Sequence, residues 1–205
     1  AVLPTRAGPE IGVASTKAFT AQLTVLLCFA VALARAKEQI DEARAEAIHA
    51  EIQALPGLVG KALGLFDAIR PVAHQLSQAK SALYLGRGAL YPLAMEGALK
   101  LKELSYIHAE GFASGEMKHG PIALIEEGLP VVALLAANSV MAKASSNLRE
   151  ASARGGKIIL LSEARAAAEV DYANAVITVP DVDPLLAPIL LAIPAQILAL
   201  SLIHI

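Results

Sequence analysis

Apolar residues recur every three or four positions from Ala18 to Ala34, and that spacing predicts a helix running from the Ser15-Thr16 pair to about Lys37. Ser15 or Thr16 is its expected N-cap. A polar, alanine-rich stretch over 41–55 predicts a second helix, stopped by Pro56-Gly57, and 58–79 predicts a third. This first third of the chain carries no clear strand pattern. From Ser81 the pattern changes: short apolar runs at 82–85, 130–136, 157–161 and 175–179 alternate with helical spacing at 91–109, 139–154 and from Leu185 onward. Gly155-Gly156 closes the middle one of these helices, and Pro180 stops the last strand. Short apolar strands alternating with helices predict an α/β fold: an open parallel sheet sandwiched by helices, preceded by a helical segment.

Composition narrows the function classes. The chain is 56% hydrophobic, 18% charged and 4% aromatic, which suits a well-buried core built from Ala, Leu and Val. A net charge of −2 gives no basic surplus for nucleic acid. Cys28 is the single cysteine; it excludes an internal disulfide framework, fits a reducing cytoplasm, and is expected as a small core residue. Mean hydropathy is +0.55, so membrane insertion needs testing. The apolar segment 18–34 is interrupted by Thr20, Gln22 and Thr24, and 185–205 holds Pro188, Pro194, Gln196 and His204. Both read as helices buried in protein, with no membrane partner. A basic segment followed by an apolar one, the mark of a secretory leader, does not occur at the start.

The chemistry concentrates in 94–121, AMEGALKLKELSYIHAEGFASGEMKHGP. Glu96, Lys100 and Glu103 stand at i, i+4 and i+7, on one helical stripe. Such spacing usually makes a solvated salt-bridge ladder. Here Ala94, Ala98, Leu101 and Leu104 flank it on one side and Met95, Leu99 and Tyr106 on the other, which argues for a partly buried stripe. Burial raises a carboxylate's pKa and a nearby lysine lowers it, and the balance can poise a base near neutrality. Glu103 is then a candidate base for moving a proton between adjacent sugar carbons, and Lys100 a cation for the enediolate oxygen. His119, expected in a loop, could open a sugar ring by acid–base transfer. His49, His74, His108 and His204 show no ligand spacing; no metal and no cofactor are expected. Gly86-Arg87-Gly88 follows a strand and precedes a helix, where backbone amides face an anion or simply form a tight turn. Val13-Ala14-Ser15-Thr16-Lys17 could hold a phosphate or sugar hydroxyls, or be an ordinary cap.

Three segments, GPEIGVASTKAFTAQL, LGRGALYPLAMEGALKLKELSYIHAEGFASGEMKHGP and the VP…VDPLLAPIL…IPAQILA ending, together resemble the isomerising glutamine–fructose-6-phosphate aminotransferases, the glucosamine-6-phosphate synthases. The likeness runs from about Thr5 to Leu200. It implies the end of a first sugar-isomerase (SIS) domain at 1–40, a helical linker at 41–79 and most of a second SIS domain at 80–205. It implies an enzyme that turns fructose 6-phosphate and glutamine-derived ammonia into glucosamine 6-phosphate as a cytoplasmic homodimer. Glu103 would be the base between C1 and C2, with Lys100 beside it. His119 would open the ring at the neighbouring subunit's site. Val13 and Ser15 would contact the sugar, with Glu96 supporting. The family's glutaminase domain, the phosphate-binding loops of its first SIS domain and its C-terminal lysine have no counterpart here. The chain therefore reads as truncated at both ends, and alone it is expected to lack synthase activity. A SIS isomerase or deaminase without a glutaminase domain, a non-catalytic phosphosugar sensor and a purely structural α/β domain remain alternatives.

Overall fold

The computed structural model describes residues 2–204. Ala1 and Ile205, the outer ends of the 1–40 and 80–205 segments, lie outside the described residues, as does the side chain of His204. Three helices come first: α1 (Lys17–Ala36), α2 (Glu42–Leu63) and α3 (Phe66–Leu76). Then follow β1 (Ser81–Gly86), α4 (Leu90–Ser105), β2 (His108–Ala113), two 3₁₀ turns (Ser114–His119 and Pro121–Leu124) and β3 (Pro130–Leu135). The chain continues through α5 (Met141–Ala153), β4 (Lys157–Glu163), α6 (Ala164–Ala167), β5 (Ala175–Val179) and α7 (Ala187–Ser201).

The five strands form one parallel sheet in the order β2-β1-β3-β4-β5. Alternate residues feed two cores. Ala82, Tyr84, Val132, Leu134, Ile159 and Leu161 face α2, α3, α4 and α7. Leu83, Leu85, Val131, Ala133, Leu135, Ile158 and Leu160 face α5, α6 and the 3₁₀ turns. Both faces are covered, which is why the strands read as unbroken apolar runs. The expected helix-sandwiched parallel sheet, with a helical segment ahead of it, is what the chain forms.

Four local expectations are corrected. The helix expected over 91–109 ends at Ser105, where Tyr106 turns left-handed (φ 61°), and 108–113 is an edge strand. Its alternate residues are Ala109, Gly111 and Ala113, too small to give an apolar signal. Pro56-Gly57 does not stop α2, which continues to Leu63. Ile48, Leu55 and Ala62, seven apart, keep one face of α2 buried in the same core as α7. That burial outweighs the roughly 3 kcal/mol an internal proline costs. Cys28 is exposed rather than a core residue, because α1 meets the core through Phe19, Leu23, Leu27 and Val31 on another face. Nor is α1 a buried helix as expected: none of its residues is buried, and it is long and apolar enough to cross a membrane by length and composition, whereas α7 is buried almost throughout.

Two polar clamps fix the loops. Arg44 on α2 grips Asp183 at 2.6 Å, and the Asp183 amide donates to Glu51 at 2.7 Å, docking α2 on the loop before α7. Burial pushes the Asp183 carboxyl up, but the Arg44 and Leu185 hydrogen bonds outweigh it and hold the group below its ordinary value. Glu163, wholly buried at the end of β4, accepts from the amides of Ala137 (2.7 Å) and Val182 (3.0 Å), joining the loops after β3 and β5. Replacing it by alanine strands the buried Val182 amide and the part-buried Ala137 amide. Glu163→Ala should lower the chain's unfolding free energy by about 2–4 kcal/mol. A denaturant midpoint equal to wild type would dismiss the clamp.

Candidate active site

The stripe is held by α4, whose Leu93, Ala94, Ala98 and Leu101 are packed into the core shared with α7. Lys100 is only 3% exposed. Its Nζ lies 3.3 Å from Glu96 Oε1 and 3.0 Å from Glu103 Oε2, whose side chains are 16% and 29% exposed. The cluster is therefore not a solvated ladder. A buried ammonium between two carboxylates has its charge compensated on both sides and keeps a third N–H for an incoming oxygen. Burial pushes the Glu96 carboxyl above its ordinary value, and the Lys100 charge offsets part of that. Only one of the two apolar flanks is core: Met95, Leu99 and Tyr106 are exposed.

Met95 and Leu99 instead form the wall of a cleft of about 530 Å³, together with Glu96, Lys102, Phe19 of α1 and Glu110 of β2. The wall carries neither Lys100 nor Glu103, so Glu96 is the member of the cluster that reaches it. At Gly111, which lines the cleft, strand β2 comes so close to α4 that a Cβ there would lie 2.6 Å from the Met95 Cα, so this approach depends on glycine. Phe19, Lys102 and Glu110 carried no sequence signal, since the first belongs to a helix far away in the chain and the last to the unrecognised strand.

The junction leading into α1 differs from its expected form. Thr16 occupies the N-cap position, but its side chain caps nothing. Glu10 accepts instead from the amides of Thr16 (3.1 Å) and Ala18 (2.8 Å) and from Ser15 Oγ (3.3 Å). The Ala18 amide chiefly holds the Glu10 carboxyl below its ordinary value. Val13 is 91% exposed. Gln196 on α7 donates to the Thr16 carbonyl at 3.2 Å; Phe19, one turn on, lines the cleft, whereas Val13 and Ser15 do not.

His119 stands apart. It ends the first 3₁₀ turn rather than lying in an irregular loop. Its side chain is 75% exposed, and among the described residues its ring comes within ion-pair reach only of Glu116, at 4.0 Å. Gly86-Arg87-Gly88 enters α4 through a turn in which the Leu90 and Tyr91 amides donate to the Arg87 and Gly88 carbonyls. A Cβ on Gly86 would overlap the Leu90 carbonyl. His49, His74 and His108 lie on the surface, and no metal-binding cluster occurs among the described residues.

The chain is similar to known proteins in sequence and fold. The SIS domain family model matches residues 75–205. The isomerising glutamine–fructose-6-phosphate aminotransferase of Zymomonas mobilis is 52% identical over 97% of this chain. That of Brucella abortus is 50% identical over the same share. The chain spans about a third of the length of both, 33% in each case. The solved C-terminal domain of glucosamine-fructose-6-phosphate aminotransferase from Francisella tularensis superposes with a TM-score of 0.92 at 40% identity, covering 96% of this chain and 56% of that one. A family match over well over half of the residues, on a fold that superposes this closely, means that the chain belongs to the SIS domain family.

Proposed function

We propose that this chain is part of the isomerase half of a glutamine–fructose-6-phosphate aminotransferase. That enzyme makes glucosamine 6-phosphate from fructose 6-phosphate and glutamine-derived ammonia. The observation that carries the reading is the buried Glu96–Lys100–Glu103 cluster beside an open cleft, in a chain half identical to such enzymes. In this reading residues 1–40 close a first SIS domain, 41–79 link, and 80–205 form the second. Glu103 takes the proton from one sugar carbon and returns it to the next. Lys100 neutralises the enediolate oxygen, and Glu96 holds Lys100 in place. Val13 and Ser15 contact the sugar. No cofactor is needed, because the proton shuttle uses side chains alone. The acidic net charge supports an enzyme that does not bind nucleic acid, and the single cysteine supports a cytoplasmic one.

His119 is assigned to the site of a second subunit, where it would open the sugar ring. Its exposure, and the lack of any ion pair with the Glu103 cluster among the described residues, support that assignment. The experiment uses the longest natural polypeptide that carries these residues, supplied with fructose 6-phosphate and glutamine. Glu103→Gln and His119→Asn should each be nearly inactive. Subunits unfolded together and reassembled from the two variants should recover about a quarter of wild-type activity, because half of the mixed dimer's sites regain both groups. No recovery would place His119 in its own subunit's site. Absence of glucosamine 6-phosphate formation by the unmodified polypeptide would remove the function itself.

A further inference from the structure

Helix α7 is apolar from Ala187 to Leu200 with one exception, Gln196. That side chain is not at the surface. Gln196 is 7% exposed, and Ile193, Ala195, Ile197 and Ala199 beside it on the helix are all buried. An amide in such a setting costs free energy unless it finds a hydrogen-bond partner, and a methionine or leucine would fill the space without that cost. Gln196 Nε2 finds its partner in the Thr16 carbonyl, to which it donates at 3.2 Å across 180 residues of chain.

Two pieces of the candidate site meet α7 at this point. The Thr16 carbonyl, which also accepts from the Thr20 amide at 3.3 Å, closes the Val13–Thr16 junction and begins α1. Glu10 ties the amide side of that junction, through Ser15 Oγ and the Thr16 and Ala18 amides. Gln196 ties its carbonyl side. The preceding residue, Ala195, meets α4: its Cβ lies 3.7 Å from where a Cβ on Gly97 would stand. Gly97 follows Glu96 on the helix that carries Lys100 and Glu103. Consecutive residues of α7 therefore support the junction on one side and the carboxylate helix on the other. Apolar packing alone does not fix that relation. Helix α1 meets the core through Phe19, Leu23, Leu27 and Val31, and none of its residues is buried. Hydrophobic contact is non-directional, so such a row can slide or rotate against an apolar helix at little cost. A single polar contact inside an apolar seam is a device that fixes register between helices.

We propose that Gln196 is a positioning residue for the isomerisation, holding the Val13–Thr16 junction in register with Glu103 on the common support of α7. The inference rests on the reading that Val13 and Ser15 contact the sugar. Gln196→Met keeps the volume and removes the donor, while the Thr16 carbonyl keeps its Thr20 amide. In the 205-residue chain, hydrogen exchange at the Ala18 and Thr20 amides should then quicken by roughly three- to tenfold, with β3 and β4 unchanged. In the longest natural polypeptide that carries these residues, the same substitution should raise KM for fructose 6-phosphate by roughly three- to tenfold and leave kcat within about threefold, because the junction holds ground state and transition state alike. Ser15→Ala should raise KM as well, and the double variant should show less than the product of the two effects, since both act through one contact. Unchanged exchange in Gln196→Met means that the glutamine only fills space, and overturns the proposal. A fall in kcat at constant KM, or effects that multiply in the double variant, overturns it too. Ser15→Ala with a wild-type KM removes the sugar contact itself, so the reading of the junction falls and this inference with it. A raised KM in Ser15→Ala but not in Gln196→Met overturns the inference alone.

Discussion

Glu103→Gln, placed in the longest natural polypeptide that carries this chain, should cut conversion of fructose 6-phosphate to glucosamine 6-phosphate by about 10²–10⁴-fold. The substitution removes the proton-accepting oxygen and little else. Glu103 Oε2 sits 3.0 Å from Lys100 Nζ, and a glutamine carbonyl oxygen at that point still accepts the same hydrogen bond. Lys100 therefore stays in place, and the fold loses at most about 1 kcal/mol, the net worth of weakening one charge-assisted bond. KM for fructose 6-phosphate should move by no more than a few-fold, because the lost interaction acts in proton transfer and not in holding the ground state. Glu103→Asp keeps the base but draws it back by about one methylene, so its rate should fall between the two. A Glu103→Gln rate near wild type would remove Glu103 from the transfer step. Glu96 would then be the carboxylate to test, since it alone of the pair reaches the cleft.

How far the sequence alone led depends on what kind of interaction each feature rests on. The sheet strands with large apolar residues were legible, because Val131–Leu135 and Ile158–Leu161 bury side chains on both faces and leave no polar gap. Strand β2 was not. Its small residues are chosen for the close approach of α4 at Gly111, a constraint between elements that has no periodicity of its own. The stripe was read correctly as a cluster, since i, i+4 and i+7 fix three side chains on one face whatever the surroundings. The reason given for its burial was half right: Ala94, Ala98 and Leu101 are core, while Met95 and Leu99 wall a cleft. The cap by Glu10 and the clamp by Glu163 escaped notice, because each carboxylate reaches amides between 6 and 26 residues away. Hydrogen bonds of that span leave no local signature. Cys28 was misread because apolar spacing shows that a helix has a buried face, but not which residues of an almost uniformly apolar segment lie on it.

Lys100→Met tests the cluster as a unit of stability. The methionine fills much of the lysine stem's volume, so packing changes little, but two part-buried carboxylates lose the cation between them. Breaking such a compensated cluster by removing one partner should cost about 2–4 kcal/mol at pH 7, a drop of roughly 5–15 °C in Tm for a chain of this length. The loss depends on pH in a direction that the Glu96 carboxyl fixes. Burial already pushes that group up, and Lys100 is what holds it down. Without Lys100 its folded pKa rises further, so the folded state binds a proton that the unfolded state has released. Stability of the variant then falls as pH rises from about 4.5, the ordinary glutamate range, through the raised folded value. The gap between wild type and Lys100→Met should accordingly be larger at pH 7 than at pH 5. Adding Glu96→Gln to Lys100→Met removes one of the two facing charges and should restore a good part of the stability, a coupling visible in the double-mutant cycle. A gap independent of pH, with no rescue by Glu96→Gln, would mean that Lys100 contributes only its hydrocarbon stem and that the charges of Glu96 and Glu103 are met by solvent.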